Sequence, residues 1–128
     1  MAVMALLMFV FGIFEFARLL YTYHTVSTAA RLATRWAMVR GIDCLAPSCP
    51  ATSSSVTTYV QSVVPLLNAS NVSVSASWSN TGSCSTGTKN GPGCLVSVTV
   101  TYPFTFELPL VSNARLSLTS TSQMVISE

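Results

Sequence analysis

Charge is scarce in this chain. Asp, Glu, Lys and Arg make up 8% of 128 residues, and the formal net charge is +2. Nucleic-acid binders carry clustered Lys and Arg. Here there is one lysine, Lys89, and Arg18, Arg31, Arg35 and Arg40 are strung along a single N-terminal segment. The acids Glu15, Asp43, Glu107 and Glu128 are scattered, so paired-carboxylate chemistry has no visible basis. His24 is the only histidine, and no nucleophile or base stands near it in a recognisable constellation. Neither a Walker loop nor G-x-G-x-x-G occurs. These absences predict a protein that is not an enzyme, with no cofactor, metal, nucleic acid or small-molecule substrate.

Two further absences shape the chain. No proline interrupts the first 40 residues, and no cysteine precedes Cys44. What occupies that stretch is Leu, Met, Ala and Phe. Met1 to Phe14 carries no polar side chain at all. The composition predicts one helix over 1–40, roughly 60 Å long at 1.5 Å per residue, ending where Arg40 precedes Gly41. A body of fewer than 90 residues cannot cover such a rod, so its apolar end must lie in lipid or against other copies. The apolar run is 14 residues, whereas a membrane span needs about 20.

In the second half of the helix, Phe16, Leu19, Tyr23, Val26, Ala30, Ala33 and Ala37 recur at alternating spacings of three and four, a heptad seam. Residue size falls along it. We expect Phe16, Leu19, Tyr23 and Val26 to meet a neighbouring helix and Ala30, Ala33 and Ala37 to lie against the sheet of the same subunit. The alternative is an ordinary amphipathic helix packed only on its own domain. A filament core would also take Met1, Met4, Leu7, Met8, Phe11 and Phe14, together with Glu15 and Arg18. Glu15 ends the apolar run, and Arg18 is within reach at i+3. The carboxylate is either paired, fixing register in a bundle, or hydrated at a membrane boundary.

The remainder, 41–128, reads as a small β-rich body. Cys44, Cys49, Cys84 and Cys94 are even in number and lie in a body near the lower size limit for a self-sufficient core, which predicts disulfides. Their gaps of four and nine residues do not suit a zinc site. Local closure predicts Cys44–Cys49 and Cys84–Cys94. A second helix is expected over about Ser54 to Leu67, capped from Ser53–Ser55 and stopped near Pro65. Alternation over Val72–Trp78 and Leu95–Tyr102 predicts a hairpin with a long loop, and Leu116–Ile126 a last strand. The segment from Phe104 to Leu110, beside Pro103 and Pro109, reads as an irregular crossover. The fold class is therefore α+β: a long helix whose second half packs on a small antiparallel sheet, with one short extra helix. Asn68-Ala-Ser70 and Asn71-Val-Ser73 match the N-glycosylation sequon, a match that arises readily by chance in a serine-rich chain.

The stretch Phe11-Gly12-Ile13-Phe14-Glu15-Phe16-Ala17-Arg18-Leu19-Leu20-Tyr21-Thr22-Tyr23, with Val26-Ser27 and Ala29-Ala30-Arg31, resembles the TadE-like family of pilins and pseudopilins. Val98–Phe104 and Met124-Val125-Ile126 are similar to it as well. Ala17 stands where that family has glycine, Leu32 and Thr34 replace part of a later Gly-Ala-Arg, and Arg35 keeps its basic residue. The resemblance implies a subunit held in the inner membrane before assembly, trimmed by a prepilin peptidase, and then built into a tight-adherence pilus with copies of itself and other pilins. Family precursors carry a basic leader, a cleavage-site glycine and a glutamate soon after it, whereas residue 5 here is alanine. Two expectations follow: a segment ahead of Met1, or a mature form held by assembly. The competing function is a membrane-anchored, outward-facing binding or adhesion module that does not polymerise.

Overall fold

The computed structural model describes residues 1–80, 84, 89–108 and 114–127. Helix α1 (Ala2–Met38) is followed by α2 (Ser53–Val63), a single 3-10 turn (Ala69–Asn71), and strands β1 (Ser73–Ser79), β2 (Leu95–Thr105) and β3 (Arg115–Val125). The strands form one antiparallel sheet in the order β1-β2-β3. The fold is α+β, as the composition and periodicities indicate.

Good helix formers and the lack of proline let α1 run for 37 residues, about 55 Å. It stops at Met38 rather than at Arg40. The N–H of Arg40 reaches back only three residues to the Ala37 carbonyl, at 3.1 Å. The next backbone groups are taken by the body: Ala51 N–H donates to the Arg40 carbonyl and Ile42 N–H to the Asn90 carbonyl, both at 2.9 Å. Tertiary bonds thus end the helix before Gly41 could cap it.

The upper part of α1 lies across the inner face of the sheet. Val26, Ala29, Ala30, Ala33 and Ala37 share one core with Val96, Val98 and Val100 of β2 and with Ile126. Alanines let the helix backbone come close to the strands. Thr34 is buried among them without cost, because its hydroxyl donates to the Ala30 carbonyl at 2.7 Å and approaches the Ser122 carbonyl at 3.4 Å. On the opposite face of the sheet the alternating Ser and Thr residues face water, and Thr99 and Thr121 form a cross-strand hydroxyl pair at 2.9 Å.

α2 covers the β1 side of the same core through Val56 and Val60. Its cap is Thr52, one residue ahead of the serines expected to serve. Ser55 N–H donates to Thr52 Oγ1 at 3.3 Å, and Thr52 N–H donates to Ser55 Oγ at 2.9 Å, a reciprocal capping box. The helix closes at Val63, before Pro65 and short of Leu67.

β2 extends three residues past Tyr102, through Pro103 and Phe104, where a crossover was expected. Pairing with β1 has already ended at Ser73↔Thr101, so the N–H that Pro103 lacks is not called on by that neighbour. Pro103 faces Ser117 of β3 instead. Phe106 and Glu107 lie outside the strands, in keeping with the crossover, and its end, 109–110, lies outside the described residues. Cys44 is bonded to Cys49, and Cys84 to Cys94. The second bridge ties the long β1–β2 connection to the start of β2, where Gly93, at φ 83°, turns the chain and donates its N–H to the Ile126 carbonyl at 2.9 Å.

Candidate interaction site at the base of the body

The body begins abruptly along α1. Every residue from Met1 to Phe14 is exposed, including Met1, Met4, Leu7, Met8, Phe11 and Phe14. Glu15, the first polar side chain, is buried, with 8% of its surface accessible. This reverses the order expected from chemistry, since apolar groups stand in the open and a carboxylate is covered. An 18-residue window of α1 has mean hydropathy 2.1 and is long and apolar enough to cross a membrane.

Glu15 is covered because the end of β2 folds down over it. Its Oε1 accepts from Arg18 Nη1 at 2.7 Å, and its Oε2 accepts the backbone N–H of Glu107 at 3.3 Å. The same Arg18 nitrogen stands 3.6 Å from Glu107 Oε2. The guanidinium carbon lies 5.6 Å from the centroid of the Phe104 ring, which meets Phe106 edge-on at 5.1 Å. The charge of Glu15 is therefore met inside its own subunit, by an arginine one turn away and a backbone donor 92 residues away. Glu107 itself remains exposed. Beside this cluster is a cleft of about 390 Å3 lined by Arg18, Tyr21, Thr22, Leu66, Tyr102 and Phe104, among others.

The seam expected to meet a neighbouring helix divides. Phe16 and Tyr23 are 60% and 50% exposed, and Leu19 is half-buried. Val26 is different. It is wholly enclosed in its own core and cannot reach another subunit, which corrects its assignment to the intermolecular seam. A line of residues at seven-residue spacing drifts by about 20° per heptad on a straight helix. The drift turns Phe16 away from the body while it centres Ala37 on it. Ala30, Ala33 and Ala37 line the contact with the sheet.

Sequence reasoning placed Glu15 and Arg18 together but missed Phe104 and Glu107. The available signal was a lone acid in the otherwise apolar and hydroxyl-bearing run Phe104-Thr105-Phe106-Glu107-Leu108. Among the described residues no three His, Cys, Asp or Glu side chains come together in a way that could hold a metal ion. His24 lies exposed on α1.

The described residues form a compact disulfide-tied body carried on a partly bare helix that is long and apolar enough to cross a membrane. Residues 1–35 match the model of the TadE-like protein family. That match covers the helix up to Arg35 and makes this segment similar to the N-terminal helix of TadE-like proteins. No curated protein sequence and no solved structure matches the chain.

Proposed function

We propose that this chain is a structural pilin-like subunit. It is held in the inner membrane by the lower half of α1 and then packed through that half into a filament with copies of itself or other pilins, as a main or minor component. The body is displayed outward. The observation that carries this reading is the bare apolar rod of Met1–Phe14 joined rigidly to a covered half of the same helix. A flexible tether would suffice for anchoring alone. A continuous helix transmits a defined orientation from the apolar end to the body, which ordered packing requires. The family match over residues 1–35 supports the same reading.

The test separates polymerisation from anchoring. Cells expressing the full chain are sheared, and filament and membrane fractions are probed for it. We expect it in the sheared fraction, labelled along or at the ends of filaments seen by electron microscopy. Recovery in the membrane fraction alone, with no labelled filament, would favour the non-polymerising anchored module.

A further inference from the structure

The exposed face of α1 is ordered by chemistry along its length. Ala17, Leu20, His24, Thr28, Arg31 and Arg35, spaced three or four apart, form one stripe down the side that the body leaves open. Its lower end is apolar, its middle is polar, and its upper end carries two arginines. Arg31 and Arg35 are a like-charged i, i+4 pair, an arrangement that destabilises a helix slightly when nothing meets it. Among the described residues no carboxylate is within ion-pair distance of either. The exposed carboxylate of Glu107 is 76% accessible and sits at the level of Glu15 and Arg18, at the opposite end of the body.

These placements fit together in a second copy. Resting on the filament reading above, we infer that contacting subunits pack their α1 helices in parallel with a stagger of about 16 residues, or about 24 Å at 1.5 Å per residue. At that stagger the base of the upper copy, with its Glu107, stands beside Arg31 and Arg35 of the lower copy. The bare run Met1–Phe14 of the upper copy then lies along residues 17–30 of the lower one. That stretch presents Leu20 and Tyr21, both more than half exposed, and a shallow groove between α1 and the end of α2 lined by Thr25, Thr28, Leu32 and Val63. A single offset thus covers the apolar run and neutralises the basic end. Charge sets the register, and apolar burial supplies the adhesion.

The test is a charge swap in cells, with subunit levels held equal and filaments counted by electron microscopy. Glu107→Arg alone, or Arg31→Glu with Arg35→Glu, places like charges together and lowers the count by about tenfold or more. The triple variant restores opposite charges and returns the count to near wild type. All three positions are solvent-facing, and the melting temperature is measured alongside. Arg31→Glu with Arg35→Glu keeps it, whereas Glu107→Arg sets a cation near Arg18 and lowers it slightly, so the Arg31/Arg35 pair is the variant that separates assembly from folding. A second measurement does not depend on counts. In filaments of the charge-conserving variant Arg35→Lys, carbodiimide couples Glu107 of one copy to residue 35 of another, detected by mass spectrometry on mixed isotope-labelled subunits. Wild-type counts in the reversed variants, a triple variant no better than its parents, or no inter-copy coupling would overturn the stagger while filaments persist. Absence of any filament containing the wild-type chain overturns the filament reading, and the stagger with it.

Discussion

Residues 1–14 and residues 26–37 of α1 belong to one unbroken helix, yet their apolar side chains have opposite fates. In the lower region large side chains, Leu7, Phe11 and Phe14, stand exposed. In the upper region the small side chains of Ala30, Ala33 and Ala37 are fully enclosed. Hydrophobicity alone therefore does not decide where a residue of this helix is buried, and neither does size alone, since Ala2, Ala5 and Ala17 are exposed. What decides is a run of small residues on the face that meets the sheet. Small residues admit a β-sheet at close range, whereas the bulky ones of the lower half stand open, where the proposed membrane and filament contacts would cover them.

The harshest test of that division is a charge placed in each half. Val26→Asp buries an unpaired carboxylate in the core and should cost more than about 4 kcal/mol, enough to unfold a body of this size. Phe11→Asp, in the bare half, should leave thermal unfolding of the body within about 0.5 kcal/mol of wild type while abolishing membrane recovery. Equal losses of body stability in the two variants would erase the distinction between the regions. Next in size comes the Cys84–Cys94 bridge. It pins the β1–β2 connection to buried Cys94 at the start of β2, which packs under the upper half only. Replacing both cysteines by Ala should cost roughly 2–5 kcal/mol. Non-reducing peptide mapping of the wild type provides a control on connectivity, and a bond between either of these cysteines and Cys44 or Cys49 would refute it.

Ala33→Leu sharpens the argument from size. Ala33 has no accessible surface and shares the core with Val96, Val98 and Val100 of β2, so three added carbons must displace the sheet at a cost of about 1–3 kcal/mol. The same enlargement at Ala17, which is exposed, should leave the melt unchanged. A neutral Ala33→Leu would mean that the helix and sheet are not in close contact.

How much of this was legible in the residues depends on the range of the interaction that decides each feature. The course of α1, the alternation of β2 from Leu95 to Tyr102, and closure between cysteines near in sequence are local, and composition or period reveals them. Pro103 misled because its acceptability in a strand depends on where β1 stops, a fact of pairing rather than of β2. Val26 misled because the seven-residue seam treats the helix as straight and uniformly partnered, while the body wraps it only from about Thr22 upward, where burial begins to recur. Helix α2 starts one residue early because Thr52, unlike the serines after it, has a Ser three positions on to complete the reciprocal bond. The contact of Glu107 with Glu15 spans 92 residues and has no local signature.

Glu15 marks the boundary between the two regions, and the smallest expected effect lies there. Two carboxylates touch Arg18, but they are not equivalent. Glu15 is covered and bonded at 2.7 Å, whereas Glu107 stands at 3.6 Å and is largely solvated. Glu107→Gln should change body stability by less than about 0.5 kcal/mol, as for other exposed pairs. Glu15→Gln removes a charge-assisted bond but leaves an amide oxygen that can still accept from Arg18 or from the Glu107 N–H, though not from both. Arg18 remains half-exposed and keeps its Phe104 contact, so the loss should be about 1–2 kcal/mol rather than the larger cost of a wholly buried pair. A double-mutant cycle over Glu15→Gln and Arg18→Gln, read by thermal or denaturant unfolding, should return a coupling of about 1 kcal/mol. A coupling indistinguishable from zero would mean that the carboxylate is held by the Glu107 backbone alone. The base of the body would then be closed by β2, with no contribution from the arginine.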